Sequence, residues 1–330
     1  MRKSRAILLI GSIVTILCVI GIVHLVMSDD IGKGATGKQA ASSQLKDERE
    51  KEPFLTEKEK DEKETYLFIG TDASGNENAA GEDYRGSMAD VLMLVIVNKT
   101  QKTYATLQLN RDTMTEISLM QTDGSKMASA TLQLCTAHWY GGTKEQSCEN
   151  TVEAVSKLLN EIPIDGYYAL SMEEIPVLNR AVGGVTVTVE SDFSKVDKSL
   201  KKGETITLSD EQAYVFLHDR YEVDDEKNIS RMKRQKQYLE AFIQKVKEKS
   251  KEDKKFLTKF WKELSDKAVT NISGKKFSKL ANTLVKSTSK GIYTLEGKEK
   301  SGKALGDGIE HTEFIVDKKS LRKIMSEIYG

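Results

Sequence analysis

The stretch Ala89–Thr113, ADVLMLVIVNKTQKTYATLQLNRDT, decides the fold. Val91 to Val97 is an unbroken apolar run between polar neighbours, the pattern of a strand buried on both faces. After the polar loop Asn98 to Lys102, residues Thr103 to Leu109 alternate like a second strand, so the two make a hairpin. With the loop centred near Thr100, antiparallel pairing sets Asp90, at the start of the first strand, close to Asn110 and Arg111 at the end of its partner.

Upstream, Tyr66 to Ile69 is a short apolar run that reads as a third buried strand ending at Gly70, with Asp72 just past its end. Downstream, Asn150 to Asn160 has helical spacing and Ser171 to Arg180 reads as another helix. Gly184 to Val189 alternates as a strand after the turn Gly183-Gly184. Asp210 to Leu217 and Ile229 to Val246 also read as helices, the second with Met232, Leu239, Phe242, Ile243 and Val246 at core spacing. The fold class is therefore α/β, mixed α+β. Arg231, Arg234 and Gln235 share one face at the start of the long helix by the i, i+3, i+4 rule.

The 330 residues suit one large domain or two small ones, and 50 Lys plus Arg against 50 Asp plus Glu leave no basic excess to meet a nucleic acid. At the N-terminus, residues 1–5 (MRKSR) precede an uncharged apolar run, residues 6–27, long enough to cross a bilayer as a helix. No small-residue exit site closes the run, so it reads as a retained anchor. Arg2, Lys3 and Arg5 before it, with Asp29 and Asp30 after it, place the N-terminus in the cytoplasm and the rest outside, a single-pass protein of the cell membrane. Residues 28–64 are charged and nearly free of large apolar side chains, and read as a tether. Residues 65–330 read as one domain, interrupted by the charged segment Lys245 to Lys255. Cys135 and Cys148 form a possible disulfide pair in that exterior domain, and their thirteen-residue spacing does not suit a zinc site.

Asp72 and Asp90 at strand ends, Arg111 beside one of them, and Arg220, Arg231 and Arg234 near a helix start suit a phosphate. Two carboxylates hold a hard cation such as Mg²⁺, which completes its shell with water and phosphate oxygens. Arginines match phosphate oxygens with planar forks and neutralise charge that develops during phosphoryl transfer. The plain alternative is a strand-end Asp that forms a turn and a helical Arg that faces solvent. Gly297 to Ala304 and Gly32 to Gln39 imitate a P-loop, but Ala304 and Gln39 stand where the metal-binding hydroxyl belongs. No G-x-S-x-G elbow supports a serine hydrolase. His138, Trp139 and Tyr140 read either as the wall of an acceptor groove or as buried aromatics, the commoner case.

The order of these residues resembles the LytR-CpsA-Psr family of membrane-anchored phosphotransferases, over about Thr65 to Gly330. The matching motifs are GTD at Gly70 to Asp72, ADVLML with Asp90, and LNRDT at Leu109 to Thr113. Further on come AVGGVTVTV, GETITLSDEQAYVFLHDRY and NISRMKRQ. The resemblance implies a central mixed β-sheet flanked by helices, with a lipid tunnel whose mouth clamps a polyprenyl pyrophosphate. It implies transfer of the carried glycopolymer to a peptidoglycan acceptor. By position, Asp72 and Asp90 match the family's Mg²⁺ ligands. Arg111, Arg220, Arg231 and Gln235 match its pyrophosphate-binding positions, with Asp112 and Arg234 in supporting places.

The chain departs from the family pattern where the chemistry lies. Three expected arginines are missing: one near Ala73-Ser74, one at Met88 and one at His218, while Asn228 stands where the family has Asp. Arg85 is the residue placed to substitute for one of them through its loop. The first reading is thus a Mg²⁺-dependent phosphotransferase with catalytic Asp72, Asp90, Arg111 and Arg220. The second is a binder of lipid-linked polymer that does not turn it over, and the third a regulatory protein that does not bind DNA.

Overall fold

The computed structural model describes residues 56–330 except 80–82, 122, 226, 254 and 286. The anchor, nearly all of the tether and the Gly32 to Gln39 imitation lie outside the described residues. Among the described residues no helix is long and apolar enough to cross a membrane.

A short helix α1 (Glu57–Asp61) leads into strands β1 (Lys63–Thr71), β2 (Ala89–Asn98), β3 (Thr103–Leu109), β4 (Met114–Met120) and β5 (Lys126–Gln133). Helix α2 (Lys144–Leu158), β6 (Gly166–Ser171), α3 (Ile175–Ala181), β7 (Thr186–Thr188), β8 (Thr205–Thr207), α4 (Asp210–His218) and α5 (Asn228–Glu252) follow. The chain ends with α6 (Phe256–Leu264), β9 (Val269–Thr270), α7 (Gly274–Val285), β10 (Thr288–Thr294), β11 (Gly297–Gly302), β12 (His311–Val316) and α8 (Lys318–Tyr329).

Six strands form the central sheet in the order β10-β3-β2-β1-β6-β9. β1 pairs antiparallel with β2 and parallel with β6, so the sheet is mixed, as expected. The β2–β3 hairpin has the expected register, from Leu92 opposite Leu109 to Asn98 opposite Thr103. Its continuous apolar run is explained by burial on both sides. Val95 and Val97 enter one core with Tyr66, Phe216 and Phe242, while Leu92, Leu94 and Ile96 enter a second with Leu67, Val155 and Ile328. Alternation along the strand feeds the two cores in turn.

Several boundaries differ from the sequence expectations. Strand β1 starts at Lys63, three residues before the apolar run at Tyr66, and the buried Lys63 Nζ donates to the Tyr329 carbonyl at 2.5 Å. Helix α2 starts six residues before Asn150, since Thr143 caps it and accepts from the Gln146 amide. Ser171 to Arg180 divides into a strand end, a 3₁₀ turn at Met172–Glu174 and α3. Lys245 to Lys255 does not interrupt the fold, for α5 continues to Glu252 with Ile243 and Val246 buried and the lysines outward. Gly297 to Gly302 is a strand and not a phosphate loop. Gly183 and Gly184 both have positive φ, 81° and 88°, which the turn before β7 needs and which only glycine adopts freely.

Candidate functional site

The ends of β1 and β2 meet at one edge of the molecule. Thr71 pairs with Ala89 across a bulge, so Asp72 leaves β1 where Asp90 enters β2. Both carboxylates line a cavity of about 590 Å³, together with Met88, Arg111, Asp112, Cys135, His218, Asp219, Arg220, Tyr221, Glu222 and Arg231.

Asp90 is the centre of this cavity's charge. Its Oδ1 meets Arg111 Nη1 at 2.5 Å and its Oδ2 meets Arg231 Nη1 at 2.7 Å, with both arginines buried. The hairpin register placed Arg111 here, as the sequence indicated. Arg231 comes from the first turn of α5. Burial pushes the Asp90 carboxyl up, but Arg111 and Arg231 outweigh it and hold Asp90 below the ordinary carboxylate range. Asp112 behaves in the opposite way: burial raises it above that range against the pull of Arg111 and Arg220. Its Oδ2 lies 4.0 Å from Arg220 Nη1 and has no hydrogen-bond partner among the described residues.

Asp72 is half-buried and does two things. Its Oδ1 accepts from the Ser74 amide at 3.0 Å, the Ser74 hydroxyl at 2.5 Å and the Met88 amide at 2.9 Å. One oxygen therefore forms the turn that the plain alternative expects, while the residue still lines the cavity. His138 supports the same loop from behind. It is buried, its Nδ1 lies 2.8 Å from the Ser87 carbonyl and its Nε2 lies 3.6 Å from Cys148 Sγ. Burial keeps its pKa below the usual value, so the ring is neutral and belongs to the core and not to a groove wall.

Other expectations are placed differently. Arg234 does not reach the cavity. Its Nε donates to the Phe216 carbonyl at 2.8 Å, its Nη2 to the Asp219 carbonyl and its Nη1 to Ser191 Oγ at 3.4 Å, and its guanidinium stacks 5.2 Å from the Phe193 ring. Gln235 donates to the Leu217 carbonyl at 3.2 Å and accepts from Gln108 at 3.3 Å, and it lines an adjoining apolar cavity. Arg85 is exposed, donates to the Tyr84 carbonyl at 2.6 Å and is not among the residues lining the charged cavity. Cys135 and Cys148 are buried free thiols, not a disulfide, with Cys135 in the cavity lining and Cys148 against His138.

Two residues that the sequence reading left without a role turn out to shape the clamp. Asn228 Oδ1 accepts from both Nε and Nη2 of Arg231, at 3.1 and 2.8 Å, and its amide donates to Asn110 Oδ1 at 2.7 Å. Met88 offers its sulfur to Arg111 Nη2 at 3.1 Å. The i, i+3 spacing of Asn228 and Arg231 was the available signal for the first. None existed for the second.

The adjoining cavity is narrow, about 200 Å³, and lies between the sheet and helices α3, α4 and α5. Phe68, Val91, Tyr168, Leu178, Leu239 and Phe242 line it, an almost wholly apolar wall where a lipid tunnel was expected. Consecutive or near residues face the two cavities. Val91 and Asp90, Leu217 and His218, and Gln235 and Arg231 divide between them, so the cavities stand side by side.

Among the described residues no three Asp, Glu, His or Cys side chains cluster as a self-sufficient metal site. A hard cation shared with phosphate still fits. The charged lining carries five carboxylates, Asp72, Asp90, Asp112, Asp219 and Glu222, against three guanidiniums, Arg111, Arg220 and Arg231. A pyrophosphate alone would face surplus negative charge, and a divalent cation bound through one or two carboxylates removes it.

A family model described as the LytR_cpsA_psr family matches residues 31–329 of the chain. The polyisoprenyl-teichoic acid--peptidoglycan teichoic acid transferase TagU of Bacillus cereus is 30% identical over 186 residues, 56% of this chain and 53% of that protein. The chain spans about half the length of the curated relatives it matches. Among solved structures, protein gbs0355 from Streptococcus agalactiae is 24% identical with a TM-score of 0.61, covering 82% of this chain and 88% of the other. A structure of TagT bound to LIIa-WTA is 23% identical with a TM-score of 0.58, covering 82% of this chain and 91% of that one. These structures share the fold.

Proposed function

Because the chain belongs to the LytR_cpsA_psr family, we propose that it is a phosphotransferase that moves a glycopolymer from a polyprenyl-pyrophosphate carrier to peptidoglycan. We place it at the cell membrane, with residues 6–27 as its anchor and the described domain outside. The observation that carries the reading is the pairing of the two cavities. An apolar slot stands beside a charged one that offers three arginines together with carboxylates able to hold a cation, as a ligand with a hydrocarbon tail and a metal-bound diphosphate head requires. The name of the Bacillus cereus relative, a transferase between a polyisoprenyl-linked teichoic acid and peptidoglycan, supports the same chemistry.

In this reading Arg111, Arg220 and Arg231 bind the pyrophosphate and offset the charge that grows on its oxygens as the acceptor hydroxyl attacks the phosphorus next to the glycopolymer, the bridging P–O bond breaks and polyprenyl phosphate leaves. Asp72 and Asp90 would hold Mg²⁺, which supplies further neutralisation and orients the phosphate oxygens. Asp112, with its raised pKa and unpartnered Oδ2, takes the proton of the attacking hydroxyl. The apolar slot fixes the prenyl chain, so phosphorus stands in the cavity at every encounter. Arg234 and Gln235 shape the clamp by holding carbonyls 216, 217 and 219.

One observation favours a second reading, a binder that does not turn its ligand over. Both oxygens of Asp90 are engaged by arginines, and the clamp has Met88 and His218 where the resemblance leads one to expect two more. Calorimetric titration of the full-length protein with a polyprenyl pyrophosphate, with and without Mg²⁺, beside the Asp72→Ala, Asp90→Ala double variant, separates the two. Magnesium-dependent binding that the variant loses, followed by transfer to a glycan acceptor, supports the enzyme. Binding indifferent to both metal and substitution leaves the binder.

A further inference from the structure

Tyr221 lines the charged cavity and yet is 68% exposed, more than any other large apolar side chain among the described residues. It is held in place all the same. The Arg220 guanidinium carbon lies 4.9 Å over the ring and Nη2 donates to the phenol oxygen at 3.1 Å. Arg220 in turn faces Asp112, so the ring is fastened to the phosphate clamp on one side and open to solvent on the other. The backbone turns sharply just after it. Glu222 and Asp224 have positive φ, 60° and 49°, a conformation that costs a non-glycine residue about 1 kcal/mol or more. Buried Val223 between them pins that turn to the core. A strained turn thus presents an apolar ring to water at the mouth of the cavity. Val196, 37% exposed, and Leu305 extend the rim.

An open aromatic face beside phosphate-binding arginines has a specific complement. A pyranose ring offers a face of C–H groups for dispersion contact, while its hydroxyls stay at the edge, in water or on nearby polar groups. A prenyl chain has the separate apolar slot, and a bare phosphate gains nothing from the ring. Resting on the transfer reading above, we propose that Tyr221 is the platform on which a pyranose ring next to the reacting phosphate stacks. The sugar belongs either to the carried polymer or to the acceptor.

The test uses the full-length protein in detergent micelles, with Tyr221→Ala and Tyr221→Trp. Three probes are titrated: geranylgeranyl pyrophosphate, the same lipid carrying N-acetylglucosamine on its diphosphate, and chitotetraose added to protein already holding geranylgeranyl pyrophosphate. Tyr221→Ala is expected to lose threefold to tenfold more affinity for a sugar-bearing probe than for the bare lipid, whose loss reads the Arg220 contact alone. Tyr221→Trp restores it. Loss on the glycosylated lipid assigns the ring to the donor sugar, and loss on chitotetraose assigns it to the acceptor. A loss on both sugar probes no larger than that on the bare lipid overturns the platform alone. So does a defect seen only in attachment to phosphatidylglycerol vesicles, which makes Tyr221 a bilayer contact. Failure of the wild type to bind the bare lipid overturns the transfer reading and the platform together.

Discussion

Replacing Asp90 by Asn keeps the shape of the side chain and removes the single charge that two buried guanidiniums share. Arg111 and Arg231 have side chains only 10% and 2% exposed, so neither can turn to solvent without unpacking the end of β3 or the start of α5. Removing one partner of a buried pair typically costs about 3–5 kcal/mol. The Asn amide still accepts one hydrogen bond, and the cavity admits water near Arg111, so about 3 kcal/mol is the reasoned figure. For a domain of this size each kcal/mol moves the melting point by roughly 2–4 °C, and the expected fall is about 6–12 °C. The two freed guanidiniums form an unoccupied anion site, so pyrophosphate should raise the melting point of Asp90→Asn more than that of the wild type. Scanning calorimetry of both proteins, with and without 10-fold excesses of sodium pyrophosphate over about 1 mM, checks both parts. An Asp90→Asn protein that melts with the wild type would refute the claim that Asp90 neutralises the pair. One that melts low but gains nothing extra from pyrophosphate would refute the claim that the same arginines form the phosphate clamp.

Asp112→Asn should stabilise the protein at neutral pH while lowering transfer. The folded pKa of Asp112 is raised, so its ionisation costs stability as pH rises from the unfolded value near 3.9 through the folded one. The variant should lack that loss in a urea titration run from pH 4 to 8. Asp90 has the opposite sign: its depressed pKa contributes stability present above about pH 3.9 and lost only as pH falls through the lower folded value. Acid unfolding of Asp90→Asn should therefore lack that component. Arg234→Met leaves the Phe216 and Asp219 carbonyls and Ser191 Oγ without their donor, a cost of about 3 kcal/mol in urea unfolding. Because those carbonyls belong to the segment that carries Arg220, the fraction that remains folded should bind pyrophosphate several-fold more weakly than the wild type, and unchanged affinity would refute a role for Arg234 in aligning the clamp. Asn228→Asp keeps the contact to Arg231 but adds a sixth carboxylate near the cavity. It also loses the amide that donates to Asn110 Oδ1, so pyrophosphate affinity and melting point should both fall, as they should in Asn228→Ala, and an unchanged melting point would refute a structural role for that bond.

The hairpin was legible because two-sided burial writes itself as an unbroken apolar run, and its register carried Asp90 to Arg111 with no knowledge of the rest of the chain. Arg231 beside Asp90 needed the resemblance, since 141 positions separate them and nothing in local spacing reports a contact that long. Arg234 shows the opposite limit. Helical spacing put it on the face of Arg231, but whether a side chain on that face meets a ligand or a neighbouring loop depends on where residues 216 to 219 run. The α2 boundary was misjudged because a capping threonine and small buried residues, Ser147 and Cys148, replace the large apolar ones that reveal a helix. Tyr221 gave no signal at all. Exposure is a property of packing, and an aromatic in a polar stretch looks the same whether it is covered or bare.

Arg234 and Gln235 bind α5 to the carbonyls at 216, 217 and 219, and the same helix carries Arg231 while the same loop carries Arg220. The two arginines are therefore parts of one rigid body. Their alignment is settled when the chain folds, so an arriving diphosphate loses its own freedom but little of the protein's. Such a clamp trades adaptability for readiness. It should hold one spacing of phosphate oxygens well, discriminate sharply against a monophosphate lipid, and release its product only as fast as that fixed grip allows.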